Sequence, residues 1–346
     1  MASIGRINGA KEIISRALSL YPRNLLLNQY KIDLDENRNI SIFDCKKKEH
    51  VVAEILYVTA NALSSQSIYS QSNFFLNLAK YLNEDFISYN SLLAENFYET
   101  GDLIKAKKIY RLFTKYGEAF HWYSSQQLAR ILIQEENTIK ALKLLNKSYN
   151  NLLKKKIYEI FDYAEFLKNN EKFEKAIPLY TEVISQIEKD HPLYTEATDG
   201  RGVSYERIGD WNKAEKDLLA SLEANPDQAY VINYLAYSWI EQGIKINESL
   251  DMLKKANKLR SNDPYITDSL GWALFKLERY IEAKDYLQLA VSLLPADPIV
   301  NDHFGDVLWK NGNEIQARYY WNYVLGLEKT DDEKIKNIEK KLIKGL

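Results

Sequence analysis

Four histidines, one cysteine and 48 carboxylates are the side chains of this sequence that could do chemistry. His50, His121, His191 and His303 are scattered, and none stands in a His-Glu-x-x-His pair that would put two ligands on one helix face. Cys45 has no partner at metal-ligand spacing, and a single cysteine forbids an internal disulfide. Gly200-Arg201-Gly202 lacks the third glycine of a dinucleotide loop and follows no strand pattern, so helix packing at Gly202 is its expected role. No Gly-x-Ser-x-Gly elbow is present. The expectation is a chain that is not an enzyme and uses no cofactor or metal. What remains is recognition chemistry: aromatics, acids and amides that recur at fixed spacing.

The spacing reveals the elements that position them. Pro264 answers to Pro298, Leu270 to Phe304, Gly271 to Gly305, Leu274 to Leu308, Ala283 to Ala317, Leu287 to Trp321 and Ala290 to Val324, each 34 residues on. Leu270, Gly271 and Leu274 share a helix face, and Ala283, Leu287 and Ala290 at i, i+4 and i+7 form a stripe on the next helix. Glycine and alanine let two backbones approach, and Leu287 or Trp321 fills the space between units. One such unit cannot bury its apolar faces, so stability comes from stacking.

The period can be followed along most of the chain. Ala10, Ile14 and Ala17 repeat the second-helix spacing, with Pro22 after them, so the chain is expected to start in mid-repeat. Residues 1–52 form a partial N-terminal repeat and an irregular connection over 35–50. Divergent repeats occupy 53–194, with Pro178 expected to kink its helix or start it late and an insertion at 189–194. The pattern is clearest over 195–331. It includes a sixth unit (Leu235, Ala236, Trp239, Ser249, Leu253, Ala256) with one extra loop residue near 242–247. Residues 332–346 are amphipathic through Ile335, Ile338 and Leu342 and read as a capping helix. Hydrophobic content of 46% and charged content of 27% suit a folded chain, and a net charge of −2 provides no field for nucleic acid or an acidic membrane. No run of about 18 apolar residues exists to span a membrane. The N-terminus lacks the apolar core of a secretory signal, which leaves the cytoplasm as the default compartment, or the periplasm and envelope if a signal lies upstream.

At these residues the chain resembles tetratricopeptide repeat (TPR) proteins over nearly its full length. The resemblance implies an all-α fold, a right-handed superhelical α-solenoid of about eight helix-turn-helix repeats with a C-terminal cap. The segments Asn233–Trp239, Asp268–Trp272 and Asn301–Asp306, followed by Ala317–Trp321, resemble bacterial envelope-type repeat proteins. These include lipoprotein adaptors that present cell-wall hydrolases to periplasmic processing proteases, which implies an adaptor or scaffold role. In this fold the first helix of each unit lines the concave surface. That places Tyr265, Asp268, Trp272 and Phe275 of one unit in a groove, with Ile299, Asp302, Asp306 and Trp309 of the next. Tyr230, Asn233, Tyr237 and Ile240 come from the unit before. Upstream contributions are Tyr158, Phe161, Glu165, Tyr123, Gln126 and Arg130. Trp239 and Trp321 are expected to pack between helices instead. Aromatic anchors among acids and amides suit a protein or peptide partner with some basic residues, whereas the basic stripe needed for nucleic acid is absent. Two rival readings are self-association as a homo-oligomer through an open N-terminal repeat at Ala10–Ala17, and an interaction module of a larger protein whose catalytic part lies upstream.

Overall fold

The computed structural model describes residues 7–38, 46–84, 86–328 and 330–346. Residues 39–45 of the irregular connection expected over 35–50, Cys45 among them, lie outside these residues. Among those described, all regular structure is helical, and the chain divides into two compact units, Met1–Lys172 and Phe173–Leu346.

The first unit holds α1 (Ile7–Leu20), α2 (Leu25–Asp35), α3 (Lys48–Ser65), α4 (Tyr69–Leu82), α5 (Ser88–Glu99), α6 (Leu103–Leu112), α7 (Glu118–Gln134), α8 (Thr138–Asn150) and α9 (Ile157–Asn169). The second holds α10 (Phe173–Ser185), α11 (Leu193–Arg207), α12 (Trp211–Ala224), α13 (Ala229–Glu241), α14 (Ile246–Leu259), α15 (Pro264–Lys276), α16 (Tyr280–Leu293), α17 (Pro298–Lys310), α18 (Glu314–Leu325) and α19 (Asp332–Lys344). From α3 to α18 the helices follow the expected two-helix repeat, an α-solenoid. Pro178 lies inside α10, which nevertheless begins three residues before its buried Ala176, as α6 begins three before Ala106. The helix therefore does not start late.

Each pair that lies within one unit is held by a small residue on the first helix and a large one on the second. The small residues Ala60, Ala94, Ala129, Gly202, Ala236, Gly271 and Gly305 are all buried, and so are Leu76, Tyr110, Leu145, Leu218, Leu253, Leu287 and Trp321. A Cβ placed on Gly271 would meet Leu287 at 2.7 Å, and one on Gly305 would meet the Trp321 ring at 2.5 Å. Helix starts are equally specific. Asp263 and Asp297 each accept two backbone N–H bonds at the first turn, with Pro264 and Pro298 directly after them, where no amide hydrogen is needed. The extra residue expected between α13 and α14 is absorbed by a turn with two left-handed residues, Gly243 and Lys245.

The two ends depart from the repeat. In the first unit, α1 and α2 form a hairpin, and α2 packs on α7. Gln29, 4% exposed, accepts a hydrogen bond from the Ala119 amide at 3.1 Å. It also occupies the space where a side chain at Gly117 would stand. In the second unit α19 caps α18 through Ile338 but also turns two lysines inward. Lys341 Nζ bonds both Asp302 (2.6 Å) and Asp306 (2.7 and 2.8 Å), and Lys334 Nζ bonds Asp302 at 3.0 Å. Burial acts to raise the Asp302 carboxyl, but the two lysines outweigh it and hold the group below its ordinary range.

Two outcomes follow from this packing. Gly271→Ala gains helix propensity yet drives a methyl into Leu287, so a net loss of about 1–2 kcal/mol is expected, measured as a lower urea midpoint. Lys341→Met removes the cation shared by two buried carboxylates, leaving Asp302 with Lys334 and Asp306 with only the Trp321 N–H, and should cost about 3 kcal/mol near neutral pH. Because Asp302 titrates below its unfolded value, its contribution is present above that value and lost as pH falls. The deficit of the variant should therefore narrow in acid, as followed by urea unfolding across pH.

Candidate functional site

The first helices of the last three pairs, α13, α15 and α17, carry the residues expected to recognise a partner. The structure sorts them into an exposed row and a buried network. Tyr230, Tyr265 and Ile299 occupy equivalent positions one repeat apart and are 51%, 55% and 45% exposed. The Tyr230 hydroxyl donates to Asp263 at 2.9 Å, and the Arg260 guanidinium lies 4.6 Å from its ring centroid, so this aromatic is held upright at the surface. Asn233 is half-buried, and its Oδ1 has no hydrogen-bond partner among the described residues.

Beneath that row the expected exposure is corrected. Asp268, Trp272, Asp302 and Asp306 are all buried, at 7% exposure or less. Each is covered by the next first helix or, at the end, by α19. Asp268 accepts from His303 Nδ1 of α17 at 2.9 Å. The Trp272 indole is sandwiched between His303 (3.9 Å between ring centroids, 10° apart) and Phe275 (4.7 Å, 5°), and its N–H donates to Glu241 of α13 at 2.7 Å. Burial works against an imidazolium at His303, but the Asp268 carboxylate beside it, with Asp302 and Asp306 nearby, raises its pKa above the ordinary value. Tyr237 is half-buried near the same imidazole, its hydroxyl pushed up by burial and by Glu241, Asp268 and Asp302. Phe275 and Trp309 are partly buried, Trp309 under the Arg318 guanidinium at 4.6 Å and against Gly345. Ile240 is fully buried, and so are the packing tryptophans Trp239 and Trp321, whose indole N–H groups donate to Glu215 and Asp306.

The groups that cover these residues were not anticipated. His303, Glu241, Lys334 and Lys341 complete the network. A signal for the lysines existed: Lys334, Ile338 and Lys341 lie at i, i+4 and i+7, on the apolar face of α19 rather than its charged one.

In the first unit the upstream residues also divide. Tyr123, Gln126, Tyr158 and Glu165 line a cavity of about 640 Å³ between the α1–α2 hairpin and helices α7 and α9. Phe161 is buried, and Arg130 pairs with Glu95 (2.9 Å) and stacks 3.8 Å from the Tyr98 ring. Arg23 and Asp162, facing each other across the cavity, were not anticipated.

A sequence profile of the tetratricopeptide repeat matches residues 269–297. A TPR repeat-containing protein of Pseudomonas aeruginosa, PA4667, is 33% identical over 122 residues; the match covers 35% of this chain and 20% of that protein. Among solved structures, MamA of Desulfovibrio magneticus RS-1 is 17% identical, with a TM-score of 0.44 over 52% of this chain and 99% of that one. PilF of Pseudomonas aeruginosa is 15% identical, with a TM-score of 0.44 over 54% and 86%. Residues 269–297 are thus similar to a tetratricopeptide repeat, and the same small and large residues recur at the same helix positions in the other pairs.

Proposed function

We propose that the chain is a non-catalytic protein-interaction scaffold that holds a peptide or protein partner on the exposed side of α13, α15 and α17. The observation that carries this reading is the row Tyr230, Tyr265 and Ile299, exposed at equal steps on a rigid base. Large apolar groups fixed at the surface are what an interface uses as anchors, because little side-chain entropy is lost on binding. Buried Asp268, His303 and Trp272, with Glu241 accepting at the edge, serve as that base, while Asn233, Tyr237, Phe275 and Trp309 flank the row. An envelope adaptor role is the sharper form of this proposal, resting on the sequence resemblance of the C-terminal block.

The test is a photo-cross-linking residue at position 299 of the full chain in its host cells, with cytosolic and envelope fractions collected separately. Tyr230→Ala with Tyr265→Ala should reduce cross-linked partner about tenfold or more while the helical signal is unchanged, as expected when two anchors are truncated. Undiminished capture would remove the row from the binding surface. A protease or wall enzyme in the envelope fraction would favour the adaptor, and cytosolic partners alone would discard it.

A second reading, self-association, is favoured by α3 and α4. Val51, Val52, Ile55 and Val58 on α3, with Phe74, Leu78 and Tyr81 on α4, are exposed. Single exposed apolar residues are common, but seven on two paired helices are more than that and suit an interaction face. It differs from the face expected on α1, where Ala10 is buried. A mass that rises with concentration in light scattering, and returns to the monomer value in Ile55→Glu/Phe74→Ser, is the expected outcome. A monomer at all concentrations would dismiss this reading.

A further inference from the structure

The cavity of the first unit is a site with its own internal occupant. Its α7 and α9 walls present Trp122, Tyr123, Tyr158 and Phe166 around Asp162. The Asp162 side chain is 16% exposed, and its two oxygens are both engaged: Oδ1 by Arg23 Nη1 at 2.5 Å, Oδ2 by Gln126 Nε2 at 3.1 Å. The Arg23 guanidinium also lies 5.2 Å from the Tyr158 ring centroid. A carboxylate backed by an amide, with an aromatic face beside it, is the set of groups that recognises a guanidinium. Its planar fork reaches the acid while its face stacks on the ring.

The two partners of this ion pair are unequal. Asp162 is fixed in the wall, whereas the Arg23 side chain is 52% exposed on the short link between α1 and α2. A half-exposed arginine gains little from such a pair, so another guanidinium can take its place at small cost. The wall also offers more than a cation requires. Trp122 Nε1 and Gln127 Oε1 are buried without hydrogen-bond partners among the described residues. Leu18, Leu25 and Phe166 add apolar surface for the flanking side chains, and a volume of about 640 Å³ is of the size that encloses a ligand of a few residues.

We propose that this cavity binds an arginine-bearing peptide segment of a partner, with Asp162 and Tyr158 reading the guanidinium that Arg23 otherwise supplies. The site lies in the first unit and does not depend on the exposed row of α13, α15 and α17.

The experiment uses the full chain and three probes: acetyl-Leu-Arg-Leu-amide, its lysine analogue, and acetyl-arginine-amide, titrated by calorimetry. Arg23→Ala vacates the guanidinium position without touching the wall. It should bind the arginine tripeptide at least tenfold more tightly than the unsubstituted chain and than it binds the lysine analogue. Adding Asp162→Asn to Arg23→Ala should abolish that gain, with circular dichroism checking that both variants are folded. Equal binding by the unsubstituted chain and Arg23→Ala, equal binding of the lysine analogue, or indifference to Asp162→Asn would each overturn the assignment. If acetyl-arginine-amide bound as tightly as the tripeptide, the peptide component would be refuted.

Discussion

Everything in this molecule depends on how closely two helices of a pair can approach. Where Gly271 faces Leu287 and Gly305 faces Trp321, no atom can be added between backbone and side chain without displacement. That contact fixes the rotation of each first helix about its axis, because the small residue must point at the second helix. Once the rotation is fixed, the remaining faces are assigned: one stripe meets the next pair and another meets solvent. The exposure of Tyr230 and Tyr265 and the burial of Asp268 and Trp272 are both consequences of where glycine and alanine sit. The packing thus acts as an orienting device for the recognition chemistry as well as a source of stability.

The stripe that meets the next pair is unusually polar in the last repeats. Three carboxylates, an imidazole and an indole ring are buried there, and two partly buried lysines of α19 close the end. Such groups add little net stability compared with apolar side chains of the same volume, because their desolvation offsets their attraction. They do impose geometry. The Trp272 ring has one position between Phe275 and His303, and its N–H has one acceptor in Glu241. The surface row above them inherits that order, which an oily and deformable layer would not supply.

How much of this was legible in the sequence follows from the range of the interactions. The pairing of Ala106 with Tyr110, or of Ala283 with Leu287, is an i, i+4 relation and can be read directly. So can the starts of α15 and α17, since Asp and Pro act within one turn. The burial of Asp268 and Asp302 was not legible, because the groups that cover them stand 35 and 39 residues away, at His303 and Lys341. The docking of α2 was hidden further still. It depends on Gln29 meeting the bare backbone of Gly117, two residues whose types carry no signal for each other. The spacing of Ala10, Ile14 and Ala17 marked a helix, and periodicity alone could not say that its hairpin would fold back onto α7.

The contacts that cross from one repeat to the next also limit how this chain can be rearranged. Repeat arrays are commonly treated as modular, with units gained or lost by duplication and deletion. Here Asp268 needs the histidine of the following repeat, Trp272 needs the glutamate of the preceding one, and Asp302 needs the cap. Excising or copying one 34-residue segment of this region would keep every apolar contact in register and still leave a buried charge without its counterpart, a defect of several kcal/mol. The last repeats therefore form a fixed sentence rather than interchangeable words.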